Sequence, residues 1–216
     1  MNDLHSLHYI DALNDVPLIA ILRGIEPGEI EAVASALVSS GFRFIEVPLN
    51  SPDPWRSIEI LRACCPETII VGAGTVLTVE SVKRIAKLGA TMVVTPNSDP
   101  SVISATQSAG LTSFTGFTTV TEAFSAIAAG ATALKLFPAA RMGLDYFGDI
   151  KAVLPSDVPV FAVGGVDEDS MVQWYQAGIH GFGFGSNLYK PGQSANQVKQ
   201  SATRLVAKWR LLEARR

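Results

Sequence analysis

The chain is 216 residues long, 48% hydrophobic and 17% charged, with a formal net charge of -3 at pH 7. That balance excludes a disordered chain and argues against a nucleic-acid or membrane-surface partner. The length suits one α/β domain over residues 1–216 with a sizeable core.

The N-terminal Met1-Asn2-Asp3-Leu4-His5 lacks the basic start and apolar core of a signal peptide, and no run is apolar enough to span a bilayer, so the expected location is the cytoplasm. A first helix should end near Asn14-Asp15, with His5 and His8 on one solvated face. The apolar run at residues 16–22 reads as the first strand, closed by Arg23-Gly24. Glu26-Pro27-Gly28-Glu29 then opens a helix, with proline and acids in its first turn as the helix dipole favours. Further strands are predicted at residues 44–47, 68–71, 91–94, 112–114, 133–136, 160–163 and 181–184. Glycines 41, 89, 110, 130 and 178 mark helix ends that run straight into strands, spaced by about 20 residues or roughly twice that. Residues 201–212 read as an amphipathic final helix with a solvated basic face. The only two cysteines, Cys64 and Cys65, are adjacent and make no useful staple, which suits a reducing compartment. His5, His8 and His180 are too scattered for a metal site, and no metal is expected.

Eight strands alternating with helices predict a (β/α)8 TIM barrel with an extra N-terminal helix, the alternative being an open doubly wound sheet. In such barrels function gathers at the C-terminal strand ends. Here those ends carry Arg23, Glu46 with Asn50, Gly74 with Thr75, Pro96 with Asn97, Thr115 with Gly116, Lys135 with Phe137, Gly164 with Gly165, and Gly185 with Ser186. Lys135 interrupts an apolar strand. Either it snorkels to water beside a carboxylate, or desolvation lowers its pKa and leaves a nucleophilic amine. Glu46 is either a buried structural ion-pair partner or a general acid/base. The Gly164-Gly165 and Gly185-Ser186 turns either permit tight turns alone or offer backbone N–H groups to a phosphate.

Taken together, Leu22-Arg23-Gly24, Ile45-Glu46-Val47-Pro48-Leu49-Asn50, Val71-Gly72-Ala73-Gly74-Thr75-Val76, Lys135-Leu136-Phe137-Pro138-Ala139, Val163-Gly164-Gly165-Val166 and Phe184-Gly185-Ser186 resemble, in order and across nearly the whole chain, the 2-dehydro-3-deoxy-6-phosphogluconate and 2-dehydro-3-deoxy-6-phosphogalactonate aldolases. The resemblance implies a class I aldolase. Lys135 would form a Schiff base with the 2-keto group of a sugar acid phosphate, and Glu46 would serve as acid and base. The products would be pyruvate and glyceraldehyde 3-phosphate, with no cofactor and no metal.

By the same matching, Thr75 and Arg23 would hold the pyruvate carboxylate, and Pro96 and Phe137 would shape the pocket. Gly164, Gly165, Gly185 and Ser186 would hold the phosphate. Relatives form trimers, so a homotrimer is the expectation. Val163 and Asn50 stand where phosphogluconate enzymes resemble a pattern with threonine and arginine, which favours the phosphogalactonate branch. The chain departs from the family around the fifth strand, where Thr115-Gly116 and Thr119-Val120-Thr121-Glu122 replace Pro-Gly and Thr-Pro-Thr-Glu. Helix capping by Thr119 or Thr121 survives the change. Two other classes stay open from the residues alone: an isomerase or epimerase on a phosphate-binding barrel, and a non-catalytic sugar-phosphate sensor.

Overall fold

Strands buried on both faces need short, nearly continuous apolar runs, and the chain supplies eight of them. In the computed structural model, which describes residues 3–214, these are β1 (Leu18–Ile21), β2 (Phe44–Pro48), β3 (Ile70–Gly74), β4 (Met92–Val94), β5 (Thr112–Phe117), β6 (Ala133–Leu136), β7 (Val160–Val163) and β8 (Gly181–Phe184). Each pairs in parallel with the next, and β8 pairs with β1 to close the barrel. Helix α1 (Asp3–Asp15) precedes the barrel. Between strands lie α2 (Ile30–Ser39), α3 (Pro54–Cys64), α4 (Val79–Lys87), α5 (Pro100–Ser108), α6 (Val120–Ala128), α7 (Ala139–Lys151) and α8 (Met171–Gln176), and α9 (Ala195–Glu213) follows β8. This is the expected TIM barrel with one extra helix. Among the described residues no helix is long and apolar enough to cross a membrane.

Two apolar layers hold it together. The outer one lies between strands and helices and includes Val33, Leu37, Val71, Val93, Leu134 and Ala162. The inner one fills the barrel with Ile19, Phe44, Ile70, Met92, Phe114 and Phe161. Tyr9 and Ala12 of α1 belong to this inner layer, so α1 is not the solvated helix that His5 and His8 suggested. Both histidines are half-buried, and the helix closes one end of the barrel. Tyr9 meets Phe44 and Phe114 edge-on, each at 6.2 Å between ring centroids, and Phe114 meets Phe161 at 4.9 Å. Such edge-to-face contacts align the positive ring edge with the negative face.

Three elements run further than the sequence pattern suggests. β3 continues past the predicted end at residue 71 through Gly72 and Gly74, and β5 past residue 114 through Gly116. In each case a side chain would collide with a neighbour. A Cβ on Gly72 would sit 2.2 Å from the Met92 carbonyl oxygen, and one on Gly116 would sit 2.3 Å from the Pro96 carbonyl. The glycines therefore provide space within a strand rather than a turn. α9 begins at Ala195, capped by Ser194, whose Oγ accepts from the Gln197 N–H while Gln197 Oε1 accepts from the Ser194 N–H.

Candidate active site

The strand ends opposite α1 converge on a cavity of about 290 Å³. β6 directs Lys135 into it, and β2 directs Glu46 into it; they are 7% and 2% exposed. Register explains how both arrive there. Glu46 lies between Ile21 of β1 and Gly72 of β3, and Lys135 between Gly116 of β5 and Phe161 of β7. Gly74 makes the carboxylate possible, because a Cβ there would fall 1.9 Å from Glu46 Oε2. That oxygen is buried and has no hydrogen-bond partner, an expensive state for a carboxylate in a stable fold.

Electrostatics follow from this burial. Desolvation raises the Glu46 carboxyl well above the ordinary carboxylate range, opposed by the positive charges of Lys135 and Arg23. Desolvation likewise lowers the Lys135 amine; Glu46 pulls the other way and Arg23 adds to the lowering. The two groups thus move toward each other, so that a proton can pass between amine, carboxyl and a bound molecule near neutral pH. The ammonium lies 5.1 Å from the centre of the Phe137 ring, which packs in turn over Gly164.

The remaining walls come from other loops. Arg23 follows β1, and its Nη1 donates to Asn50 Oδ1. Thr75 follows β3 with φ +55°, a left-handed conformation rarely adopted by a β-branched residue. Pro96 sits on a turn held by Thr95, whose Oγ1 donates to the Asn97 carbonyl at 2.7 Å. Val163 ends β7 with its methyl groups against Gly183, where a Cβ would lie 2.7 Å from Val163 Cγ2. Gly164 and Gly165 have φ +95° and +78°, and Gly185 and Ser186, after the neighbouring strand β8, line the cavity with them. The loop after β5 is fixed by Glu122, whose Oε2 accepts from the backbone N–H and hydroxyl of both Thr118 and Thr119. Thr119, rather than Thr121, is the cap of α6.

Of the residues singled out from the sequence, Arg23, Glu46, Thr75, Pro96, Lys135, Phe137, Val163, Gly164, Gly165, Gly185 and Ser186 line one cavity, whereas Asn50, Gly74, Asn97, Thr115 and Gly116 from the same strand ends are not among its lining residues. Sequence reasoning gave no site role to Ile21, Val166, Gly183 or Asn187, which line it too. Asn187 ties the two glycine turns together by donating from Nδ2 to the Val166 carbonyl at 2.7 Å. Its position directly after Gly185-Ser186 was the available signal. Among the described residues no group of three or more His, Cys, Asp or Glu is placed to hold a metal ion.

Comparisons with known proteins agree with this geometry. The family described as "Aldolase: KDPG and KHG aldolase" matches residues 10–203. A protein of Rhizobium meliloti (strain 1021), named "Probable 2-dehydro-3-deoxy-6-phosphogalactonate aldolase", is 49% identical over 88% of this chain and 90% of its own length. The "2-dehydro-3-deoxy-6-phosphogalactonate aldolase" of Escherichia coli (strain K12) is 46% identical over 90% of this chain and 95% of its own. A solved structure called "Native KDPGal structure" superimposes with a TM-score of 0.90 at 45% identity, covering 92% of this chain and 97% of that one. With a family match over nearly its full length and a barrel whose strand ends converge on a buried lysine and glutamate, the chain belongs to the KDPG and KHG aldolase family.

Proposed function

We propose that this aldolase cleaves 2-dehydro-3-deoxy-6-phosphogalactonate to pyruvate and glyceraldehyde 3-phosphate through a Schiff base on Lys135. The observation that carries the reading is the pairing of a desolvated, pKa-lowered Lys135 with a buried Glu46 whose Oε2 has no protein partner. An isomerase or a sugar-phosphate sensor has no use for so costly an amine.

In this reading the neutral Lys135 Nζ adds to the C2 carbonyl, and loss of water leaves a cationic imine. Glu46 removes the C4 hydroxyl proton, directly or through a water. The C3–C4 bond breaks, its electron pair enters the imine as an enamine, and glyceraldehyde 3-phosphate departs. Glu46 returns the proton to C3, and hydrolysis of the resulting imine frees pyruvate and the Lys135 amine. Arg23 and Thr75 bind the carboxylate, Pro96 and Phe137 flank the reacting carbons, and Gly164, Gly165, Gly185 and Ser186 receive the phosphate on their backbone N–H groups. Val163 presents hydrocarbon where a hydroxyl would bond one C4 configuration, which supports the galactonate series. Residues 1–216 act as one domain in a cytoplasmic homotrimer, the assembly tested by light scattering.

Borohydride with pyruvate should add a reduced pyruvyl group to Lys135, read by mass spectrometry of the peptide, and Lys135→Met should lose activity by at least about 1000-fold. An unmodified Lys135 or an active Lys135→Met variant would sink the mechanism. Side-by-side retro-aldol assays should favour the phosphogalactonate substrate, and Val163→Thr should move the ratio toward phosphogluconate by up to about 10-fold. Equal turnover of both by the wild type would remove the assignment of substrate.

A further inference from the structure

The turn after β2 reaches across to the turn after β1 at two points. Asn50 Oδ1 accepts from Arg23 Nη1, and Ser51 Oγ accepts from the Gly24 N–H at 2.9 Å. Ser51 is itself buried and anchored, its N–H donating to the Pro48 carbonyl at 2.9 Å. The backbone carrying Arg23 is thus fixed by Ser51, and the long side chain above it by Asn50.

Arginine has several freely rotating bonds, so a guanidinium at a cavity rim is diffuse unless something holds it. Among the described residues Arg23 forms no salt bridge, and Asn50 is its hydrogen-bond partner. An amide oxygen orients the guanidinium without cancelling its charge, which then acts on whatever anion enters the cavity. A carboxylate at the same position would orient it equally well and neutralise it.

We propose that Asn50 is a positioning residue that holds Arg23 over the cavity mouth as an oriented cation, free of any ion-pair contact, for the substrate carboxylate. This deepens the aldolase reading and rests on it. Asn50 need not touch the reacting atoms; it acts through Arg23.

The test is steady-state retro-aldol kinetics with 2-dehydro-3-deoxy-6-phosphogalactonate for the wild type, Asn50→Ala and Asn50→Asp, at low and high sodium chloride. Asn50→Ala should raise KM about 5- to 10-fold, the usual effect of one lost hydrogen bond, with kcat within about twofold. Asn50→Asp should raise KM at least as much, although its hydrogen bond to Arg23 is kept. It should also flatten the rise of KM with salt that the wild type shows. An unchanged KM in Asn50→Ala overturns the positioning role, and a wild-type KM in Asn50→Asp overturns the requirement for a neutral partner. If kcat falls with KM unmoved, Asn50 acts on the chemical step and the inference is wrong. A wild type that neither cleaves the substrate nor traps pyruvate on Lys135 refutes the aldolase reading and this inference with it, whereas an active, trappable wild type with unaffected variants refutes this inference alone.

Discussion

Lys135 and Glu46 each oppose folding at neutral pH. For the lysine, whose folded pKa is lowered, the penalty is absent above the ordinary lysine value and grows as pH falls toward the folded one. For the glutamate, whose folded pKa is raised, it is absent below the ordinary carboxylate value and grows as pH rises. Both penalties operate in the interval between, so the double variant Glu46→Gln/Lys135→Met should be inactive yet melt a few degrees higher, at about 2–4 °C per kcal/mol recovered. Calorimetry near pH 7 checks this, and a lower melting temperature would show that the pair is a net structural asset. The advantage over wild type should shrink toward pH 4, where Glu46 ceases to contribute its part of the penalty. Both residues were legible in the sequence because charge inside an apolar strand is conspicuous. Asn187 and Gly183 were not, since an asparagine after a turn and a glycine in a strand acquire a meaning only when a neighbouring strand is placed beside them.

At the scale of elements, the loop from β5 to α6 shows how one carboxylate can organise a segment. Glu122 accepts four hydrogen bonds from Thr118 and Thr119, led by the two backbone N–H groups, and its pKa is drawn down to about 2. A lowered carboxylate stabilises the fold fully above its ordinary value of 4.5, and that contribution is lost as pH falls through about 2. Urea midpoints should therefore show Glu122→Gln less stable than wild type at pH 7, with the gap narrowing below pH 4. A gap that stays constant with pH would mean that Glu122 acts through its shape alone. The sequence offered Thr119 or Thr121 as the cap, and the capping box of Thr119 with Glu122 decides between them. The extents of β3 and β5 were not legible, because the apolar runs stop at Val71 and Phe114 and the glycines beyond them carry no apolar signal. Gly74 is in fact the empty volume that admits the Glu46 carboxylate.

For the whole molecule, the alternation of strands and helices was enough to give the closed barrel, since eight parallel βα units have few other ways to bury both strand faces. The docking of α1 was hidden for a physical reason. Its more apolar residues, Leu7 and Ile10, are 55% and 49% exposed, while Tyr9 and Ala12 enter the barrel. Tyr9→Ala should cost about 3–5 kcal/mol by opening a cavity among Phe44 and Phe114. Tyr9→Phe should instead hold or gain stability by about 1 kcal/mol, because the Tyr9 hydroxyl is buried with no partner. Chemical denaturation of the two variants checks both; an equal loss in each would place the value of Tyr9 in its hydroxyl rather than its ring.

The aromatic layer of Tyr9, Phe44, Phe114 and Phe161 also makes the barrel a vessel with one mouth. Whatever enters must leave by the same route, past anything still attached to Lys135. In the proposed mechanism the three-carbon unit stays bonded to that amine after the phosphorylated aldehyde has been cut free. Traffic is therefore last in, first out: the aldehyde leaves before pyruvate can. Product inhibition should record this queue, with pyruvate competitive against the sugar acid phosphate and glyceraldehyde 3-phosphate noncompetitive. The reverse pattern would require a second opening through the aromatic floor.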